Sequence, residues 1–145
     1  MLKFTPSRVT CRAGTVGGDV VVQQEPAPLT RHLRIHQDRG FTVLELRGEI
    51  DIAAAVEIIP YLDRVTGRPG ARVVLDLRRV EFFDCSGLRL LFRARLRVLD
   101  QGGRLHLVCT HPLTLRILRI TGLAQLLPPR PTLDAALEQA ETTPT

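Results

Sequence analysis

Tryptophan is absent from this chain, tyrosine occurs once, and aromatic residues make up 4% of the whole. A core without aromatic bulk has to be filled by Leu, Val and Ile. The same shortage removes the paired aromatics on which single-stranded RNA stacks. Lysine is nearly missing as well: Lys3 stands against 19 arginines. So lopsided a ratio reflects coding bias as much as function, so a net charge of +5 argues only weakly for nucleic acid. No block of five like charges and no zinc-finger spacing strengthens it. Cysteine is sparse and odd in number. Cys11, Cys85 and Cys109 lie far apart, with no CxxC pair and no clustered His. That excludes a disulfide framework and a zinc site and points to a reducing compartment. No apolar run reaches membrane-span length and no apolar leader opens the sequence. The expectation is a single cytoplasmic domain that needs no membrane and no cofactor.

What is present is organised around residues 72–102. Val73 to Leu77 is apolar except for Asp76, and a short β-branched run of this kind reads as a strand buried on both faces. Cys85 to Gln101 reads as a helix. Between them lies Phe83-Asp84-Cys85-Ser86-Gly87, a strand-to-helix junction. Asp84 suits the N-cap, which places Cys85 and Ser86 in the first turn beside the positive end of the helix dipole. A small exposed side chain there is well placed for an anion and easily read by a partner.

The remaining chain fits around this unit. Residues 1–30 carry scattered Gly and Pro without periodicity and read as a flexible extension, with Val20 to Val22 able to pair as a short strand. Leu33 to Gln37 and Phe41 to Leu46 alternate about the turn Asp38-Arg39-Gly40 and predict a hairpin. Asp51 can cap a helix over Ile52 to Val65, with Ala55, Val56, Ile59, Leu62 and Val65 inward and Pro60 kinking or shortening it. In the next helix Leu88, Leu91, Phe92, Val98 and Leu99 form the apolar side. Ser86, Arg89, Arg93 and Arg97 share an outer face, either simply solvated or a basic docking surface. Arg104 to Cys109 predicts another buried strand. Thr110 is placed to cap a helix from Pro112 to Thr121. Leu126-Leu127 reads as a short edge strand, Thr132 caps a final helix over Leu133 to Ala140, and the last residues, 142–145, fray. The order predicts an α/β domain over residues 31–141, with a central mixed sheet of four to five strands and about four helices mainly on one face.

The motifs Gly48-Glu49-Ile50-Asp51, Val73 to Leu77, Phe83-Asp84-Cys85-Ser86-Gly87-Leu88, Gly102-Gly103 and Thr121-Gly122-Leu123 are individually common. In this order and spacing the chain resembles the STAS domain, and within it the small anti-sigma factor antagonists. The resemblance covers Arg31 to Ala140. It implies a non-enzymatic binding module that captures an anti-sigma factor, typically a GHKL-type serine kinase, and so frees a sigma factor. It implies phosphorylation of a hydroxyl at the helix start, reversed by a phosphatase. It implies a partner surface of Asp84, Cys85, Ser86, Gly87, Leu88, Arg89 and Arg93, with Asp51 setting its conformation. The sequence departs from the family where the first hydroxyl is expected: that position is Cys85, and Ser86 is the remaining phosphorylation candidate. The favoured expectation is a permanently active antagonist, with Ser86 phosphorylation second and thiol oxidation third. A scaffold or redox-responsive interaction module is the alternative. An enzyme with Cys85 as nucleophile would need a base, and nothing in the sequence places His106 or His111 beside it.

Overall fold

The computed structural model describes residues 30–142, with the side chains of residues 30–138. The expected extension before Thr30, Cys11 and the Val20 to Val22 strand lie outside the described residues. The element order is β1 (Leu33–Asp38), β2 (Phe41–Ile50), α1 (Ile52–Thr66), β3 (Arg72–Phe83), α2 (Cys85–Asp100), β4 (Arg104–Val108), α3 (Pro112–Ile120), α4 (Leu123–Leu126), β5 (Pro129–Arg130) and α5 (Leu133–Thr142).

The strands form one sheet in the order β1-β2-β3-β4-β5, with β1 antiparallel to β2 and the other pairs parallel. The strand expected at the centre is there: β3 carries Val73, Val74, Leu75 and Leu77, all buried. Alternation divides its side chains. Val73, Leu75 and Leu77 join the large core formed with α1, α2, α3 and α4, while Val74 joins Phe41, Val43, Val108, Ala136 and Leu137 on the α5 side. Asp76 also faces that side and is buried. Arg78 neutralises it through a two-pronged contact, Nε to Oδ1 at 3.0 Å and Nη2 to Oδ2 at 2.8 Å.

β3 continues well beyond Leu77 because two irregularities re-aim it. Pairing slips between Glu45 and Arg47 and again between Gly48 and Glu49, each time leaving an additional residue on β3. Each slip inverts the alternation, so Leu77, Val80 and Phe83 all face the helices while Phe82 turns outward. The hairpin turn is Arg39-Gly40, both at positive φ (52° and 83°), the backbone of a turn that follows strand twist.

Several local expectations are corrected. α1 passes through Pro60 uninterrupted; the bond Pro60 cannot donate would go to the Val56 carbonyl, and both residues are exposed where water can serve it. The inward face of α1 is Ala54, Ala55, Ile58, Leu62 and Val65, with Val56 exposed. That of α2 is Gly87, Leu90, Leu91, Ala94 and Val98, with Leu99 exposed. The buried stripes take in Ala54, Ala55, Gly87 and Ala94 beside the larger residues because the two helices pack on each other as well as on the sheet. Leu126-Leu127 is not a strand: Gly122, at φ 84°, breaks the chain from α3, and Leu123 and Leu127 are buried at helical spacing. The edge strand is Pro129–Arg130, tied by Cys109 N donating to the Arg130 carbonyl at 3.0 Å. Proline is tolerated there because an edge strand can do without a donor.

Candidate functional site

The parallel strands β2 and β3 end level with each other, Ile50 opposite Phe83, and Asp84 N donates to the Ile50 carbonyl at 3.5 Å. The next residue on each strand is a helix cap. Asp51 accepts from Ala54 N at 3.0 Å. Asp84 Oδ1 accepts from Ser86 N at 2.8 Å and Gly87 N at 3.3 Å. Two carboxylates thus stand on adjacent strand ends, each folded back onto its own helix, and together they orient the starts of α1 and α2. After β4 the cap of α3 is His111, whose Nδ1 accepts from Leu113 N at 3.3 Å. Thr110 was the expected cap. Pro112 occupies the first turn, and the residue before a proline is extended, which makes His111 the flanking position.

At the start of α2, Cys85 is exposed and unbonded, Ser86 is half-buried and Gly87 is buried against the Phe83 ring. A Cβ on Gly87 would lie 2.7 Å from Phe83 Cε1. Leu88 packs on the core edge, and Arg89 is exposed. The structure therefore brings Asp51, Asp84, Cys85, Ser86, Gly87, Leu88 and Arg89 to one end of the sheet. Arg93 is different. It lies two turns along α2 and is held by Asp63 of α1, Nε to Oδ1 and Nη2 to Oδ2, both at 2.7 Å. Arg97 joins them, donating to the Thr66 hydroxyl at 3.0 Å and to the Asp63 carbonyl at 2.9 Å. The Arg93 hydrogen bond holds the Asp63 carboxyl below its usual range, against the opposing effect of burial. The same contact raises Arg93. This part of the arginine face ties two helices together.

Residues that sequence reasoning did not assign to this end are apolar. Ile52 is 70% exposed, Val56 64%, Phe82 53% and Leu113 64%. All sit at or just beyond the C-terminal ends of β2, β3 and β4. The signal for Phe82 was the Phe82-Phe83 pair itself: a strand sends one of two neighbours outward. Among the described residues no group of three or more His, Cys, Asp or Glu could hold a metal ion. The arrangement offers a capped helix start that accepts negative charge, set in exposed apolar surface that a protein partner can cover.

A family model described as the STAS domain matches residues 32–136. An anti-sigma F factor antagonist of Paenibacillus polymyxa is 25% identical over 97 residues, 66% of this chain and 83% of the relative. The crystal structure of an anti-sigma factor antagonist from Mycobacterium paratuberculosis superposes with a TM-score of 0.69 at 30% identity, over 81% of this chain and 99% of that one. The Bacillus cell fate determinant SpoIIAA, solved in its phosphorylated form, has a TM-score of 0.60 at 22% identity, over 74% of this chain and 98% of its own, and shares the fold. On the family match and the Mycobacterium relative, the chain belongs to the STAS domain family.

Proposed function

We propose that this protein is a cytoplasmic anti-sigma factor antagonist that acts by binding, without catalysis of its own. It captures an anti-sigma factor through the end of the sheet that carries Asp51 and Asp84 to Arg89, and the captured factor releases its sigma factor. The observation that carries this reading is the start of α2: a helix N-terminus capped by Asp84, with Cys85 exposed, at the same sheet end as exposed Ile52 and Phe82. The relatives named as anti-sigma factor antagonists, in Paenibacillus and Mycobacterium, support it.

The partner is a serine-protein kinase of the GHKL type, which in this family phosphorylates the helix start. Added phosphate brings about −1.5 to −2 charges. The helix N-terminus tolerates that charge, so the fold survives. A partner packed over the same atoms has to desolvate it, so the complex breaks. Here the exposed position holds the thiol of Cys85, which is not an ordinary substrate for a serine kinase. Ser86 is one residue on, a rotation of about 100° at 3.6 residues per turn, and is half-buried. Phosphoryl transfer depends on positioning, so this hydroxyl is a poor substitute. The protein is therefore a permanently active antagonist, set by its own abundance, and a phosphatase has little to remove.

One mixture tests both halves of this reading. The cognate kinase and ATP are incubated with wild type or Cys85→Ser, and complex formation and intact mass are read together. Wild type is expected to bind and to gain little phosphate, whereas Cys85→Ser gains it and is released. Absence of a wild-type complex refutes the antagonism. Rapid stoichiometric labelling of wild type at Ser86 refutes the permanently active state.

A further inference from the structure

The face of the sheet under α5 holds a second concentration of charge, at the opposite end from Asp84. Arg72 opens β3 and Arg104 opens β4, and the two are register partners. Two residues on, His106 lies opposite Val74 on the same face; Arg130 of β5 is paired with Val108, the next residue of β4 on that face. Phe41 floors the cluster. The Arg72 guanidinium lies 4.4 Å from its ring centroid, and the His106 ring meets it edge-on at 5.6 Å. Stacking on Phe41 fixes the Arg72 head without using its hydrogen-bond donors.

Two polar atoms in this cluster are buried without a partner among the described residues: Nε2 of His106 and Nε of Arg130. Buried donors and acceptors are almost always satisfied, and leaving one unmet is costly. Burial and the charges of Arg104, Arg130 and Arg72 all push the imidazole below its ordinary pKa, so its surroundings are strongly cationic. The cations about it are Arg72 of β3, Arg104 of β4 and Arg130 of β5; further along β3 on the same face lies Asp76, held by Arg78, while β2 supplies the uncharged Phe41 and Val43. On α5, Asp134 pairs with Arg39, and Glu138 is itself engaged, as Arg104 is.

We propose that Arg72, Arg130 and His106, with Arg104 beside them, form a binding site for a small phosphate-bearing anion on the α5 side of the sheet. The guanidinium charges of Arg72 and Arg130, in the field of the already engaged Arg104, call for a multiply charged ligand. Their forked donors match phosphate oxygens, and His106 Nε2 supplies a further donor when that nitrogen is protonated. The site is separate from the partner surface. Val73 and Phe83, near the two ends of β3, pair with Thr42 and Ile50, so eight steps of β2 at about 3.3 Å put them roughly 26 Å apart, with Arg130 level with Asp76 between them. The proposal holds whether or not the protein antagonises an anti-sigma factor.

The test is NMR on the full chain, following the His106 imidazole during titration with inorganic phosphate and, separately, with pyrophosphate. Pyrophosphate is expected to bind more tightly than phosphate. It should shift His106 saturably and raise the midpoint of its pH titration, because an anion favours the charged ring. The Ser86 amide at the far end should stay unmoved. In Arg72→Gln/Arg130→Gln the affinity should fall at least about tenfold, the loss of charge-assisted contacts. If that double variant fails to fold by circular dichroism, Arg72→Gln alone, at an exposed position, is read for the same direction of change. No saturable shift of His106 with either anion overturns the proposal, and so does unchanged affinity in the folded variant.

Discussion

A Cβ on Gly103 would lie 2.1 Å from the Ala71 carbonyl oxygen and 2.8 Å from its nitrogen, and backbone cannot swing aside. The contact has a purpose: Arg104 N donates to that carbonyl at 2.8 Å, which starts the pairing of β4 with β3. Gly87 meets a different obstacle, the Phe83 ring, at 2.7 Å to 3.0 Å. Alanine at Gly87 would gain up to about 1 kcal/mol of helix propensity. Overpacking costs about 1–3 kcal/mol, and Phe83 is 5% exposed with little room to rotate, so the clash wins. Gly87→Ala is expected to be destabilised within that range, and Gly103→Ala at its upper end or beyond. Chemical denaturation of both variants checks the size and the order. A Gly87→Ala as stable as wild type would mean that Phe83 yields. Both glycines were legible as punctuation in the sequence, but the reason for each was not, because Phe83 and Ala71 meet them only in three dimensions.

Between elements, the clearest link is Asp63 on α1 with Arg93 and Arg97 on α2. Its pH dependence has a definite sign. Asp63 has its carboxyl pKa lowered in the folded state, chiefly by the Arg93 hydrogen bond, from an ordinary value of 3.8. A depressed acid stabilises the fold above its unfolded pKa, and that contribution is lost as pH falls through the folded value. Wild type is therefore expected to be more stable than Asp63→Asn at neutral pH. The gap should be small, since the groups are partly exposed, and should close only below about pH 3.8. Denaturation curves of the two proteins across that range check it; a gap unchanged at pH 2.5 sinks the assignment. The spacing of Arg89, Arg93 and Arg97 on one face was readable from helical periodicity. That α1 lies beside that face, and uses Asp63 to hold it, was not, because a single helix does not reveal its neighbour. β3 shows the same limit. Strict alternation ends at Leu77, so Arg78 to Phe83 did not read as strand, and the two slips against β2 that continue it leave no local mark. The caps at Asp51 and Asp84 were legible because an N-cap is a local device of three or four residues.

As a whole the molecule is a sheet with unequal cores. One face carries α1, α2, α3 and α4 over Leu44, Leu46, Leu75, Leu77 and their neighbours, and the other carries α5 over Phe41, Val43, Val74 and Val108. The inequality was visible only in outline: the apolar run of β3 marked a strand covered on both faces and the helices were expected mainly on one, but which helix covers which face was not readable because β2 reads locally as a half-buried strand. Its consequence is dynamic. α5 contributes Ala136 and Leu137 to its core, both essentially unexposed, with Leu133 partly buried beside them. Arg39 holds Asp134 at the α5 start, and Thr132 caps it through Ala135 N at 3.0 Å. α1 and α2, by contrast, share a large core and the Asp63 clamp. Helices held by few buried residues open locally at lower free energy than the global transition. Truncating Leu137 removes one of the two fully buried side chains among the described residues of α5, a change that costs about 2–5 kcal/mol in a well-packed site. That loss falls first on the docking of α5 rather than on the main core. In native-state hydrogen exchange, the amides of Ala136 and Leu137 are expected to exchange faster than those of Leu90 to Ala94 in wild type. Leu137→Ala should accelerate the first group strongly under conditions where the second still exchanges by global unfolding. If both groups accelerate by the same factor, α5 is not a separate unit and the sheet with both its cores opens as one.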